Sequence, residues 1–273
     1  MLSFFFLILA GIIGGFMAGL VGIGGGIVYV FIIPIALRFM GVPESELAQF
    51  TIANSIFAIF FASSSANYTL FKMKNFYPRP VLIIGLFSVV TSLLTLKFIV
   101  NTEWYDVKKF NLVVIILLVY MLVFTLRNAK KKFRFPLTKI KIWQYGLIGL
   151  GSGIVASVSG LGGGIVIIPM LNTLMKADIK KASSVSSGVI MLTSFVMTIF
   201  SMTQTPHSAF DHYNLGYIVF PVGLTLAAGV IFSSAFGVRT AAKLNPRTIS
   251  YIYASFLGIV IIKKTVELIF IYQ

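Results

Sequence analysis

The chain has 273 residues, of which 58% are hydrophobic and only 11% are charged, and its mean hydropathy is +0.98. Soluble domains carry about 25% charged residues, so this chain cannot cover a globule with polar surface. The formal charge is +15 and there is no cysteine. Because the basic residues lie between long apolar runs, these features exclude a soluble enzyme, a nucleic-acid-binding protein and a disulfide-stabilised scaffold, and they indicate an integral protein of the lipid bilayer.

Eight hydrophobic segments follow one another along the chain, and none has the alternating pattern of a membrane β-barrel. A membrane-spanning helix needs about 20 apolar residues, so the segments predict an all-α polytopic fold of about ten helices. The segments are 1–37, 47–71, 80–96, 110–126, 142–175, 182–210, 212–238 and a weaker one from Thr248 that contains Lys263 and Lys264. The basic stretch 127–141 separates a first membrane repeat, 1–126, from a second, 142–273.

Two segments, 1–37 and 142–175, are too long for one crossing and contain glycines in the middle. Each is either a tilted single span or a helical hairpin that returns to the side it entered. If every segment crosses once, 12 of the 22 basic residues lie on the side of the basic stretch, whereas two hairpins place 16 there and 6 opposite. The positive-inside rule favours the hairpins. They predict a cytoplasmic linker, both termini outside the cell membrane, and two halves of opposite orientation.

A repeated glycine motif is the strongest signal in the sequence. The run GIGGGIV that starts at Gly22 recurs 138 residues later as GLGGGIV, starting at Gly160, and each copy is followed by a proline, Pro34 or Pro169. Inverted repeats with glycine breaks at corresponding positions are typical of secondary transporters, whose substrate site lies at interrupted helices near the membrane centre. The alternative is a duplicated membrane scaffold that transports nothing.

The glycines of both motifs are candidates for binding an anion. Consecutive glycines free backbone groups that lipid cannot satisfy, so they persist only where they are buried in protein or line a wet cavity. A half-helix that starts at Ile27 or Ile165 would direct its positive dipole end and its free N–H groups into that cavity. The alternative role is close helix packing. The predicted contact residues are Gly22, Gly24, Gly25, Gly26, Gly160, Gly162, Gly163 and Gly164.

Polar side chains near the start of the segment after each motif are further candidates. Asn54 and Ser55 follow the first motif, and Ser186 and Ser187 follow the second. No charged residue lies centrally in a confident span, so a bound anion would be held by amides and hydroxyls. Buried polar groups in a membrane segment need partners, and these four are predicted to complete the site. Ordinary helix packing is again the alternative.

The sequence predicts neither a cofactor nor a metal or catalytic site. His207 and His212 flank Asp211 in a predicted external loop, but they lack the paired spacing of metal ligands on one face. The spans contain no Ser/His/Asp arrangement and no carboxylate pair. The glycine runs also lack the preceding strand and the acidic residue of a dinucleotide site. We therefore expect no enzyme activity.

The two glycine motifs, 22–28 and 160–166, resemble those of the TauE/SafE family of sulfite-exporter-like permeases, also called the TSUP family. The resemblance extends to Asn54-Ser55, where the family tends to have Thr-Ser, to Pro169, and to 237–239, where members often have Gly-Ala-Arg. It implies passage of a small sulfur-containing anion such as sulfite, thiosulfate, sulfoacetate or a related organosulfonate.

Together these observations lead us to expect a permease that works by alternating access, with the anion held between the two glycine loops. Besides a channel, two other functions stay open at this point. One is a permease that binds or is coupled to a cation through carbonyls freed at the same breaks. The other is a membrane scaffold that moves no solute. A homo-oligomer is compatible with the sequence.

Overall fold

In a computed structural model of the chain, the described residues are 2–128, 142–175, 178–207 and 213–271. Of the basic stretch 127–141, Arg127 belongs to the fifth helix, and residues 129–141 lie outside the described ranges, as do Asp211 and His212. The elements are α1 (Leu2–Val21), α2 (Gly26–Phe39), α3 (Leu47–Lys72), α4 (Pro78–Thr95, continued by a π-helical turn Leu96–Val100), α5 (Val107–Asn128), α6 (Ile142–Ser159), α7 (Gly164–Met175), α8 (Ile179–Thr203), β1 (Asn214–Leu215), β2 (Ile218–Val219), α9 (Phe220–Lys243) and α10 (Pro246–Ile271).

Seven helices within these ranges are long and apolar enough to cross a membrane: α3, α4, α5, α6, α8, α9 and α10. Large apolar side chains cover the outside of the bundle; Phe232, for example, is 82% exposed and Leu86 is 67% exposed. Such a surface suits lipid rather than water, because lipid satisfies apolar groups and the helices satisfy their own backbone. The predicted all-α polytopic membrane fold is confirmed.

Both over-long segments are broken at their glycine motif. In the first, Gly22, Gly24 and Gly25 have φ of 78°, 87° and 76°; in the second, Gly160, Gly162 and Gly163 have φ of 64°, 86° and 76°. Residues with a side chain rarely adopt this left-handed conformation, so both breaks require glycine. After the first break α2 folds back along α1, since a Cβ added to Gly14 would lie 2.3 Å from the ring of Tyr29. Each segment is therefore a helical hairpin.

The two ends of the bundle can be told apart by their hydrogen bonds. At one end, the linker face, α5 ends, α6 begins, and Lys180 Nζ donates to the Ala242 carbonyl at 3.0 Å. At the other, the β-hairpin face, Gln49 Nε2 donates to the carbonyls of Val100 and Tyr105, each at 3.0 Å. Gln49 of α3 and Lys180 of α8 thus make similar hydrogen bonds to backbone carbonyls at opposite ends of the bundle.

The two halves are inverted. Helix α1 begins beside the start of α9, where a Cβ on Gly11 would lie 2.4 Å from the Leu226 oxygen, at the β-hairpin face. Its counterpart α6 begins beside the start of α4, where a Cβ on Gly149 would lie 2.5 Å from the Ile84 oxygen, at the linker face. Glycines permit this close backbone approach, which drives helix association where lipid provides no hydrophobic force.

A short β-hairpin precedes α9, at the start of the segment 212–238 that we expected to be one helix. Asn214 pairs with Val219 and Leu215 with Ile218 in antiparallel strands. The turn contains Gly216 at φ 58°, and the helix starts only at Phe220, with Pro221 in its first turn. Proline at that position is preorganised for a helix start and lacks the N–H that a strand would use.

Candidate functional site

The two glycine loops touch each other in the interior of the bundle. A Cβ added to Gly26 would lie 2.7 Å from the Gly160 carbonyl oxygen, and one added to Gly164 would lie 2.8 Å from the Ile23 Cα. Only hydrogen fits at these two positions. The structure thus brings the two motifs together. They pack directly against each other and do not enclose an open cavity between them.

Two serines cross-connect the loops. Ser55 on α3 donates its hydroxyl to the Gly160 carbonyl at 2.7 Å, and Ser186 on α8 donates to the Gly22 carbonyl at 2.7 Å. Both serines are fully buried. Each hydroxyl therefore satisfies a carbonyl that the helix break of the opposite half has freed.

Two isoleucines pack against the same contact. A Cβ on Gly24 would lie 3.0 Å from Ile59 Cγ2 and 3.3 Å from Ile190 Cγ2, and one on Gly162 would lie 3.4 Å from each of these side chains. Both isoleucines are fully buried. The centre of the bundle is consequently closed by aliphatic groups.

A cavity of about 250 Å³ opens from the linker face toward this closed centre. It lies between α1, α3, α8, α9 and the first turn of α10. Its lining includes Gly22, Asn75, Lys180, Lys181, Ser183 and Ser187. The first glycine loop thus forms the inner end of a compartment whose outer part carries two lysines.

The chemistry of this cavity favours an anion. Helix α8 begins in it, and the N-terminal end of a helix carries free N–H groups and a partial positive charge. Lys180 and Lys181 outweigh the single carboxylate of Asp178, which also lines it. Deeper in, the Ser187 oxygen accepts a hydrogen bond from Asn67 Nδ2 at 3.3 Å, so its own proton is available to an acceptor.

The predicted site residues fall into three places. Gly22 and Ser187 line the cavity, and five glycines of the motifs lie with Ser55 and Ser186 in the loop contact behind it, namely Gly24, Gly26, Gly160, Gly162 and Gly164. Gly25 and Gly163 instead pack against the backbone of Gly14 and Ser152 within their own hairpins. Asn54 lies apart, toward the β-hairpin face. Its Nδ2 donates to the carbonyls of Phe50 (2.8 Å) and Tyr217 (3.0 Å), and its Oδ1 accepts from the Val219 N–H at 2.9 Å. The four polar residues expected to share one pocket are therefore not brought together.

A buried carboxylate stabilises the β-hairpin face. Glu46 is 5% exposed, and its Oε1 accepts hydrogen bonds from the Tyr217 hydroxyl (3.1 Å) and the His207 N–H (2.9 Å). Burial, and then the charge and hydrogen bond of Glu46, raise the pKa of Tyr217, so the phenol stays protonated and remains a donor. The described residues contain no group of three or more His, Cys, Asp or Glu that could hold a metal ion.

Sequence reasoning missed several residues of the cavity, namely Asn75, Asp178, Lys180 and Lys181. In the sequence analysis, Lys180 and Lys181 were used only in the count of basic residues on each side of the membrane. Their positions three and two residues before Ser183 could have indicated the cavity, because basic residues and hydroxyls at one helix start suit an anion. Asn75 offered no such signal, because it lies in a connection whose place depends on tertiary packing.

Comparison with known proteins agrees with this architecture. The family model described as Sulfite exporter TauE/SafE matches residues 7–264. A Methanocaldococcus jannaschii protein named Probable membrane transporter protein is 31% identical over 255 residues, which cover 93% of this chain and 92% of that protein. A Haemophilus influenzae protein of the same name is 28% identical over 93% of this chain and 95% of its own length. The chain belongs to the TauE/SafE family, a family of membrane transporters and not of enzymes.

Proposed function

We propose that this protein carries a small sulfur-containing anion across the cell membrane by alternating access, with the linker face in the cytoplasm. The cavity on the linker face is the observation that carries the proposal. It combines two lysines, the N-terminal end of α8 and serine hydroxyls, and it ends at a glycine loop where the two halves meet. On the opposite side of the loop contact, the part of the chain that the structure describes is packed with buried side chains such as Tyr217, as one state of an alternating-access carrier requires.

Within this proposal the residues have separate tasks. Lys180 and Lys181 attract the anion from the cytoplasm, and Ser183 and Ser187 replace part of its hydration shell. Gly22, whose missing side chain lets the Ser183 backbone pack against the glycine loop, forms the inner wall of the cavity. The two glycine loops, with Ser55 and Ser186, form the barrier that opens and closes when one half rocks against the other.

A cation permease has less support. Such a protein would bind its ion through backbone carbonyls freed at the helix breaks. Here the carbonyls of Gly22 and Gly160 each accept a short hydrogen bond from a serine of the opposite half. A cation would first have to displace both hydroxyls.

Purified protein in liposomes tests the proposal directly. We expect flux of sulfite, thiosulfate or sulfoacetate that competing oxyanions inhibit and that monovalent cations do not. Flux of cations alone would support the cation permease instead. Liposomes that move no solute of the panel would support a scaffold.

Lys181→Gln tests the cavity as the anion's entry site. Removing one charge that lies partly in solvent weakens binding by on the order of 1 kcal/mol, so the half-saturating anion concentration should rise about two- to fivefold. Lys243→Gln is the matched control, because Lys243 is exposed on the same face and does not line the cavity. Equal effects of the two substitutions would show that only the general surface charge matters.

A further inference from the structure

The two halves correspond residue by residue along α3 and α8. Ser55 and Ser186, which are 131 residues apart, make the same hydrogen bond to the opposite glycine loop. Gln49 and Lys180 are also 131 residues apart, and each donates at 3.0 Å to a backbone carbonyl near its own face of the bundle. This register assigns each residue of α3 an equivalent in α8, and therefore assigns the cavity an equivalent position at the β-hairpin face.

The connections between equivalent helices differ in length. Five residues, 73–77, join α3 to α4 at the linker face, whereas sixteen, 204–219, join α8 to α9 at the β-hairpin face. The longer connection ends in the β-hairpin, 214–219. The second half thus carries additional chain at the face opposite the cavity.

The β-hairpin occupies the position that is equivalent to the cavity. Leu70 lines the cavity, and the carbonyl of its equivalent Ser201 accepts a hydrogen bond from the Tyr217 N–H at 3.1 Å. Lys181 also lines the cavity, and the ring of its equivalent Phe50 packs edge-on against the ring of Tyr217, 5.0 Å between centroids. Tyr217 is 4% exposed, so it fills this space.

Hydrogen bonds attach the β-hairpin to α3. Asn54 donates to the Tyr217 carbonyl at 3.0 Å and accepts from the Val219 N–H at 2.9 Å, and the Tyr217 hydroxyl donates to Glu46 at 3.1 Å. The equivalent of Asn54 in α8 is Val185, which has no polar group. The asparagine therefore occurs in α3, which contacts the β-hairpin. In α8, which begins at the open cavity, a valine stands at the equivalent position.

We propose that the β-hairpin 214–219 is the outer gate of the carrier. When it leaves α3 and α8, it opens a second cavity for the transported anion at the β-hairpin face. The equivalents of the cavity residues Lys180, Ser183, Leu70 and Val21 line it, namely Gln49, Ile52, Ser201 and Ser159. Asn54 is the positioning residue that holds the gate closed. This proposal rests on the proposed function for its substrate, but the movement of the gate can be measured without any substrate.

The absence of native cysteine makes a reporter experiment clean. Ser201→Cys places a thiol beneath the gate, where residue 201 is 4% exposed. A membrane-impermeant maleimide applied from the β-hairpin face should react with it slowly. Adding Asn54→Asp keeps the size of the side chain but leaves at most one proton to donate where the amide donates two hydrogen bonds. The labelling rate should therefore rise at least about fivefold, as expected for losing on the order of 1 kcal/mol.

Two controls make the result specific. Asn67→Asp changes another buried asparagine of α3 whose amide contacts Ser63 and Ser187, and it should leave labelling at position 201 unchanged. Leu70→Cys, the equivalent reporter at the cavity, should react from the linker face at the same rate with and without Asn54→Asp. If Asn54→Asp leaves the labelling rate of the Ser201→Cys reporter unchanged, the role of Asn54 is overturned.

Cross-linking tests the gate independently of that variant. In the double variant Ser201→Cys, Tyr217→Cys, a short bismaleimide should join the β-hairpin to α8 and stop the sulfoacetate transport that the same variant shows before treatment. Each single-cysteine variant should keep, after the same treatment, the transport rate that it has without treatment. Anion binding from the linker face, measured by thermal stabilisation in detergent, should persist in the linked protein. Transport by the linked protein at the unlinked rate would overturn the gate.

The outcomes separate the two proposals. If the wild-type protein neither binds nor moves any sulfur-containing anion, the proposed function fails, and labelling of the Ser201→Cys reporter still decides whether the β-hairpin moves. If the anion is transported and neither labelling nor cross-linking has an effect, the gate fails and the proposed function stands.

Discussion

The hydroxyls of Ser55 and Ser186 connect the two halves, each through one hydrogen bond. The sequence indicates that both serines are buried and polar within lipid-compatible segments, which is why they were predicted as ligands of an anion. Their partners are instead the Gly160 and Gly22 carbonyls of the opposite half. No spacing rule reveals a bond between residues more than 100 positions apart, because the register of the two halves decides it.

Removing either hydroxyl leaves one buried carbonyl without its partner. We expect Ser55→Ala and Ser186→Ala each to lower the free energy of unfolding by about 1–3 kcal/mol, and by similar amounts, since the two bonds are equivalent. Thermal unfolding in detergent measures this as a lower melting temperature. Ser63→Ala is the control, because the Ser63 hydroxyl bonds to the Ile59 carbonyl within its own helix. A melting temperature of Ser55→Ala equal to that of Ser63→Ala would contradict this account.

At the scale of elements, apolar length was sufficient to predict the helices, and the glycine breaks together with the positions of the basic residues predicted the two helical hairpins. The β-hairpin was not predicted, because its strands have two residues each and lie within an apolar run. Strand patterns become visible only over four or more residues. The cavity was also missed as a compartment, since its walls come from five helices, most of them distant in sequence.

Helix α6 provides a matched pair of glycines for testing the packing of elements. A Cβ on Gly153 would lie 2.1 Å from Thr91 Oγ1 and 2.3 Å from the Ser88 oxygen of α4, whereas one on Gly146 would lie 3.5 Å from the Phe87 ring. We expect Gly153→Ala to destabilise the protein by about 1–3 kcal/mol through overpacking.

Gly146→Ala should be neutral or stabilise the protein by up to about 1 kcal/mol, because alanine restricts the unfolded chain and fits in the space. Size-exclusion profiles and melting temperatures in detergent compare the two variants. If both alanines are tolerated equally, close contact between α4 and α6 is not what holds these helices together.

At the scale of the whole molecule, the inverted halves place the basic residues unequally. The linker face carries Lys72, Arg79, Arg239 and Arg247 in addition to the lysines of the cavity, and the positive-inside rule assigns such a face to the cytoplasm. Charge counting on the sequence was enough to prefer helical hairpins over single spans. It could not supply the contact of the two glycine loops, which depends on packing.

Single cysteines in this cysteine-free chain can measure the orientation in intact cells. Glu103→Cys, at an exposed position of the β-hairpin face, should react with a membrane-impermeant maleimide added outside. Arg247→Cys, exposed at the linker face, should react only after the membrane is permeabilised. The reverse labelling pattern would place the linker outside and would remove the cytoplasmic assignment of the cavity.

The aliphatic contact of Ile59 and Ile190 with both glycine loops also acts as an electrical insulator. A potential of 100 mV gives each elementary charge about 2.3 kcal/mol across a membrane, and a continuous water column through a carrier would let protons and ions dissipate it. Because hydrocarbon side chains fill the middle of the bundle, a cell can keep many idle copies of this protein in its membrane without losing voltage.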